Sequence, residues 1–500
     1  MSNREDKKGI VDFLRQHMEK KTVAFHMPGH KGAAFYEEFG YGGFLAALAD
    51  ADITEIPGAD NLFQAEDVIL ATMKKYERLY GAKKSYLLVN GTSGGILASI
   101  LSTVPKGRKL IMARNCHKSV FNALALAHAE PVYVYPELIS EYGISGAVPP
   151  DEIKRLLEQN PEAEAVILPS PNYYGICSDI SAIAEAVHQA GKILIVDQAH
   201  GAHLKFFAEE NTAMVKTCSH FDCTGSPAVK KAVKLPRPAE EQGADITINS
   251  IHKTLGSFTQ SAVLNVNTDR IDLDALEDKL QMIESSSPSY LLMASLDMNA
   301  EIILQHGKEL FARWQENLEF FYKEAEKISG LKIMRPKSSE MDSTKLNLDM
   351  SRLGLSGDML EEALMKKGIY CELVTGNILM CMSGIGNTRE DYERLLLALR
   401  EVANDNNEKL FFADKRYKGK CPDFGPLEFC RIPVEKVRVK IDDAAGRICA
   451  ASIIPYPPGI PIACPGERIT EELAVYVKKL RERGEKVIGV TENGEITVGK

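Results

Sequence analysis

Short apolar runs, rich in β-branched side chains and bounded by turn residues, recur through the first half of the chain at Ser85–Val89, Lys109–Ala113, Pro131–Tyr135, Ala165–Leu168, Lys192–Val196, Ile246–Asn249 and Ala262–Val266. Runs of that length predict strands buried on both faces. They alternate with helical stretches, which predicts an α/β fold: a mostly parallel seven-stranded sheet covered by helices on both sides. Ahead of them, Asp6 to Lys20 carries Ile10, Phe13, Leu14 and Met18 on one side of an expected amphipathic helix. A helix is expected to begin near Ile96, after the small residues that follow the first run.

Beyond Thr268 the pattern changes. Long helical periodicity from Tyr290 to Ile328 leads to short strands at Leu331–Met334 and Lys345–Asp349, a helix after Gly357 and another over Arg389–Asn404. A smaller α+β unit is expected there. Polar and breaker-rich residues at Asn404–Glu408 and Lys418–Pro426 then separate a third, α+β unit, with a strand at Val437–Ile441 and a helix at Thr470–Arg483 whose stripe is Leu473, Val477 and Leu480. Asn493-Gly494 suggests a hairpin over Val487–Val498. The division that follows is an arm at 1–50, a large domain at 51–267, a small domain at 268–403 and a C-terminal domain at 404–500.

Composition narrows the class of function. The 500 residues carry a formal net charge of −9 with both signs mixed along the chain, which argues against a nucleic-acid partner. The start, Met1 to Lys8, is too charged to lead a secretory signal and no apolar run reaches membrane-spanning length, so a soluble cytoplasmic protein without a membrane partner is expected. Ten cysteines without a C-x-x-C pair fit neither a zinc site nor a disulfide framework, so no metal is expected. There is no internal repeat.

Candidate chemistry collects at the ends of the predicted strands, where open α/β sheets bind ligands. Ile246–Asn249 runs into Ser250-Ile-His-Lys253, an amine suited to forming a Schiff base. Lys192–Val196 delivers Asp197, followed by His200 and Gly201. Ser85–Val89 runs into Asn90-Gly-Thr-Ser-Gly-Gly95, where the helix-start N–H groups and the Thr92 and Ser93 hydroxyls suit an anion. Pyridoxal phosphate needs these three kinds of group: a lysine, a carboxylate for the ring nitrogen and a cradle for the phosphate. Three His-Lys pairs compete for the lysine. Lys31 precedes the whole sheet and Lys118 precedes the aspartate, whereas Lys253 lies one strand beyond Asp197. A solvated surface lysine, a hydrogen-bonded core histidine at 117 and a packing role for Tyr173 and Tyr174 are the competing structural readings.

His26-Met-Pro-Gly-His-Lys-Gly32, Asn90-Gly-Thr-Ser-Gly94, Arg114-Asn-Cys-His-Lys-Ser119, Asp197-Gln-Ala-His-Gly201, Ser250-Ile-His-Lys253, Ser287-Pro-Ser-Tyr-Leu-Leu292 and Pro455-Tyr-Pro-Pro-Gly-Ile-Pro461 stand in this order along the chain. Jointly they resemble the pyridoxal-phosphate-dependent ornithine/lysine/arginine decarboxylase family, of the aspartate-aminotransferase fold (fold type I), in a short form without an N-terminal wing domain. The resemblance implies α-decarboxylation of lysine, arginine or ornithine to a diamine or agmatine. It implies catalytic roles for Lys253, Asp197, His117 and His200, with His117 stacked on the cofactor ring. Cofactor contacts are implied for Gly91, Thr92, Ser93, His117, Asp197, His200, Ser250, His252 and Lys253. It also implies a homodimer or higher homo-oligomer, with the His26–Gly32 arm close to an active site. The segment Phe63-Gln-Ala-Glu-Asp-Val68 departs from the family pattern, which bears on substrate selection. The alternatives are another enzyme on the same cofactor, such as an aminotransferase, and a non-catalytic protein that binds the cofactor or an amine; release of carbon dioxide against keto acid separates them.

Overall fold

The computed structural model describes residues 9–207, 235–335, 340–406, 427–455, 461–482, 484 and 486–500. The chain opens with helix Ile10–Glu19 and a three-residue strand β1 (Val23–Phe25). Seven longer strands follow in one sheet: β2 (Lys84–Leu88), β3 (Lys109–Ala113), β4 (Glu130–Val134), then, after a small ladder of β5 (Leu138–Ile139) and β6 (Ile144–Ser145), β7 (Ala163–Pro169), β8 (Ile193–Asp197), β9 (Ile246–Asn249) and β10 (Ala262–Val266). Their spatial order is β2-β10-β9-β8-β7-β3-β4. Only β10 runs against its neighbours, so β2, β3, β7, β8 and β9 all end at the same edge.

The sheet is legible in the sequence because both of its faces are covered. One face and its helices share a core that includes Leu110, Ile167, Ile195 and Leu264. The opposite face, through Leu87, Val89 and Val263, joins the core of helix Tyr290–Ala325 and of a second sheet. That second sheet contains β11 (Lys332–Ile333), β12 (Lys345–Asp349), β14 (Leu373–Thr375) and β15 (Ile378–Met382) in the order β11-β12-β15-β14. Between them in sequence, β13 (Ile369–Cys371) pairs in parallel with β1, which binds the arm to the smaller sheet. Composition gave no sign of β1.

Two expectations are corrected. The helix expected near Ile96 begins at Gly91 and runs to Thr103. Glycines disfavour helix by propensity, but here close packing outweighs it: a Cβ on Gly94 would lie 2.6 Å from Glu284 Oε1, and one on Gly95 would lie 2.7 Å from Leu88 Cδ1. Val487–Val498 is not a simple hairpin. The turn forms, with Gly494 N–H donating to Thr491 O, but Val487–Ile488 pairs with Ile454–Pro455 while Glu495–Gly499 pairs with Lys436–Lys440. Each short strand finds a more distant partner because the core of this region needs both around helix Glu471–Glu482. Met1–Lys8, Asn211–Lys234, most of the expected connection at 404–426 and the middle of the Pro455–Pro461 arch lie outside the described residues. Among those described, no helix is long and apolar enough to cross a membrane, and no group of three or more His, Cys, Asp and Glu could hold a metal ion.

Candidate active site

The shared edge of the parallel strands brings the predicted residues together. β9 ends at Asn249 and passes into the short helix Ile251–Thr254, which carries Lys253. β8 ends on Asp197, and the tight turn after it brings His200 back over the edge, so that Lys253 Nζ lies 2.9 Å from His200 Nε2. The His200 ring leans on Tyr173, with centroids 4.7 Å apart, and Lys253 Nζ lies 6.0 Å from the centre of the same ring. Tyr173 follows β7, so three successive strand ends converge on one amine.

The electrostatics of this cluster follow from burial. Burial lowers the Lys253 amine from its ordinary value, against the pull of the Asp197 and Glu372 carboxylates. Burial also raises the Asp197 carboxyl, opposed by Lys253 and by the Ala199 N–H, which donates to Asp197 Oδ1 at 3.1 Å. His200 is driven well below the ordinary histidine range by burial, then by Lys253 and Lys345. Its Nδ1 is buried without a hydrogen-bond partner among the described residues. A buried, unpartnered ring nitrogen is costly, which marks it as a group that expects another molecule.

His117 caps helix Lys118–Ala127 with its own side chain: Nδ1 lies 2.8 Å from Ser119 Oγ and accepts from the Ser119 N–H at 3.3 Å. The cap fixes the ring, and burial with Lys253 nearby lowers it to about 4, so it is a neutral, oriented imidazole at neutral pH. The adjoining Arg114 is also anchored. Its guanidinium donates to Pro461 O at 2.8 Å, Ile462 O at 3.2 Å and Glu467 Oε2 at 3.0 Å. The turn that bears His117 is thereby tied to the C-terminal region.

On the other side, Gly91 has a φ of +68°, which turns the chain from β2 directly into helix Gly91–Thr103. Thr92 Oγ1 and Ser250 Oγ meet at 3.3 Å from two different strand ends. Their hydroxyls and the first-turn N–H groups around Ser93 make a cradle of donors suited to a phosphate. Glu284, from the end of helix Leu273–Ile283, accepts the Val89 and Asn90 N–H groups through Oε2 at 3.0 and 2.9 Å. Burial pushes its carboxyl up to about 7. The Ser289 hydroxyl, five residues after Glu284, caps helix Tyr290–Ala325 by accepting the Leu292 N–H, which fixes the start of that helix. His252 is committed to structure through one nitrogen, since Nδ1 lies 2.9 Å from Ser261 O.

The arm also reaches this site within the same chain. Gly29 N–H donates to His252 O at 2.7 Å, and a Cβ on Gly29 would come within 2.4 Å of the Thr254 carbonyl carbon. Only glycine fits there. The divergent segment at 63–68 lies elsewhere. Phe63, Gln64, Ala65 and Glu66 line a cavity of about 430 Å³ bounded by Glu277 and Glu284, which adjoins the glycine turn rather than Lys253.

Several residues at the site had no signal in the sequence. Asp342, Thr344 and Lys345 are fully buried at the start of β12, and Lys345 Nζ donates to His200 O at 2.8 Å. His203 is fully buried between Thr254 and Asp342. Glu372, half-buried between β13 and β14, accepts the Met27 N–H through Oε2 at 2.9 Å. The one visible oddity was a lysine at an inward position of an apolar strand.

Comparison with known proteins gives a consistent result. Residues 9–348 match the family described as "Orn/Lys/Arg decarboxylase, major domain", and residues 427–494 match its C-terminal domain. The chain is 31% identical over 493 residues to an arginine decarboxylase of Bacillus subtilis, covering 95% of this chain and 94% of that protein. It is 21% identical to the lysine decarboxylase LdcA of Pseudomonas aeruginosa, covering 92% of this chain and 73% of that one. The crystal structure of the Francisella novicida lysine decarboxylase LdcF superposes with a TM-score of 0.73 at 19% identity, over 97% of this chain and 80% of that one, which shows the shared fold.

Proposed function

Because the chain belongs to the Orn/Lys/Arg decarboxylase family and is a decarboxylase of basic amino acids, we propose that it works with pyridoxal phosphate at Lys253 and takes arginine in preference to lysine or ornithine. The observation that carries the site assignment is the meeting of Lys253, His200 and Tyr173 beside Asp197, with the Thr92–Ser250 hydroxyl pair at the same sheet edge. The preference for arginine rests on the higher identity to proteins named arginine decarboxylase than to those named lysine decarboxylase.

The donor set suits the cofactor. Lys253 is the buried amine to hold it, Asp197 the buried carboxylate for a ring nitrogen, and Gly91, Thr92, Ser93 and Ser250 the donors for its phosphate. His117, fixed by Ser119, supplies a flat neutral face, and the unpartnered His200 Nδ1 supplies one more polar contact. When bound, pyridoxal phosphate supplies an electron sink for the pair released as the carboxylate leaves Cα.

The protein's own groups do the rest. Asp197, whose carboxyl is raised by burial and lowered by Lys253 and the Ala199 N–H, is the carboxylate that acts most strongly on Lys253. Burial favours the free-base form of Lys253, and its hydrogen bond to His200 Nε2 keeps the amine within reach of a proton to be returned to Cα. The net reaction turns an amino acid and one proton into an amine and carbon dioxide. A basic substrate also carries a distal cation. Asp197 and Glu372 are the carboxylates that act on Lys253 among the described residues, and Asp197 lies beneath the site. Glu372 is half-buried with one oxygen on Met27, which supports it as the acceptor for that distal group. We further propose an assembly built from dimers, supported by the exposed apolar side of helix Ile10–Glu19. The test is to supply arginine, lysine and ornithine to cofactor-loaded protein and measure carbon dioxide, amine and keto acid. Agmatine with stoichiometric carbon dioxide is expected; keto acid without carbon dioxide would overturn the reading.

A further inference from the structure

Beneath the Lys253–His200 contact lies a second set of charged groups that the reaction does not consume. Lys345 and Asp342 are both completely buried and paired at 2.7 Å. Lys345 Nζ has all three of its protons placed: on Asp342 Oδ2, on Thr344 Oγ1 at 3.1 Å and on the carbonyl of His200 at 2.8 Å. The other Asp342 oxygen lies 3.2 Å from His203 Nε2, and His203 Nδ1 lies 3.1 Å from Thr254 Oγ1. Thr254 is the residue after Lys253. The set therefore leaves the smaller sheet at the start of β12 and reaches the edge of the larger sheet at two points, the His200 carbonyl and, through His203, the Thr254 hydroxyl.

A buried ion pair usually adds little net stability, because taking both charges out of water offsets their attraction. Its fixed geometry is another matter. Holding the His200 carbonyl fixes the backbone from which the imidazole projects, and among the described residues Lys253 and the Tyr173 ring are the contacts that set the imidazole's orientation. We propose that Lys345 and Asp342 are a positioning pair, reaching from the smaller sheet to lock His200 against Lys253. The inference rests on Lys253 being the cofactor-bearing lysine.

The pair also sets the charge around that lysine. The titratable groups facing Lys253 and His200 are Asp197, Glu372, His117, Tyr173 and Lys345, with Asp342 paired to Lys345 at 2.7 Å. Lys345 opposes protonation of both Lys253 and His200. Losing it makes the Lys253 nitrogen easier to protonate.

The test uses Lys345→Met in the full chain loaded with pyridoxal phosphate, comparing with the parent the thermal midpoint, the pH at which the visible absorbance of the loaded protein changes, and kcat and KM separately. The expected result is a folded protein whose absorbance midpoint rises by about one pH unit or more, as removal of a nearby fixed charge implies. The kcat should fall about tenfold or more with KM within about threefold, since the group acts on a catalytic side chain rather than on substrate. A folded variant with the parent's absorbance midpoint and kcat overturns the proposal. Should Lys345→Met not fold, the same-shaped Asp342→Asn decides through the kcat-against-KM split: a fall of about fivefold in kcat alone supports it, and an unchanged kcat overturns it. Failure of the underlying assignment looks different, because the parent itself would then show no visible cofactor band dependent on Lys253.

Discussion

At the scale of single residues, the site is a set of groups whose burial decides their charge. Lys253→Ala should abolish the cofactor's lysine-dependent absorbance and lower turnover by on the order of a thousandfold or more, measured by spectrum and by carbon dioxide release. Asp197→Ala should retain some cofactor yet lose activity by roughly a hundredfold. Glu284 gives a prediction in stability. Its folded carboxyl is held at about 7 against an ordinary 4.5, so the folded protein binds that proton more tightly than the unfolded chain does. The stabilising contribution is full below about pH 4.5 and is lost as pH rises through 7. Glu284→Gln does not titrate, so its melting temperature should gain on the parent's by about a degree or two between pH 5 and pH 8. Lys253, Asp197, His117 and His200 were legible because each follows an apolar run that ends in turn residues. Lys345, Asp342 and His203 were not, since what gives them their place, the contacts of Lys345 with the His200 carbonyl and of Asp342 with His203, joins residues 145 and 139 positions apart.

At the scale of elements, the helix starting at Gly91 shows how a local rule yields to packing. Propensity places its start after the glycines, but those glycines are what let Glu284 and Leu88 approach. Gly94→Ala should therefore weaken cofactor affinity rather than only helix stability, about tenfold or more in the dissociation constant measured by titration. The turn between β3 and helix Lys118–Ala127 is held from outside by Arg114 and Glu467, a pair that is nearly or fully buried. Lysine cannot reproduce the forked contacts of arginine to two carbonyls and a carboxylate. Arg114→Lys should lower kcat about threefold to tenfold through the displaced His117, and should expose residues 461–467 to limited proteolysis. That element was named in the sequence only as a motif; its tie to the C-terminal region depends on Pro461 and Ile462 lying next to it.

At the scale of the whole molecule, the seven-stranded sheet was legible almost strand for strand, since strands covered on both faces read as continuous apolar runs. The outer pairing of the expected C-terminal hairpin was not: Val487–Ile488 is two residues long and carries too little pattern to specify its partner, while Glu495–Gly499 takes the more distant Lys436–Lys440. The helix Ile10–Glu19 matches its expected periodicity, yet Ile10, Phe13 and Met18 are 80%, 63% and 68% exposed. A side of that kind normally marks a contact surface. Replacing Ile10 and Phe13 by Asp should shift the protein to a smaller species in analytical ultracentrifugation, with the thermal midpoint of the remaining fold little changed.

The wedge of Gly29 against Thr254 has a consequence for synthesis. Gly29 donates to His252 O and accepts from the Gly386 N–H, while Ile385 N–H donates to Thr254 O. The opening residues of the polypeptide can thus take their final place only after residue 386 has left the ribosome. At a translation speed of about 5–20 residues per second the nascent arm waits tens of seconds, with the apolar side of its helix uncovered and open to chaperones.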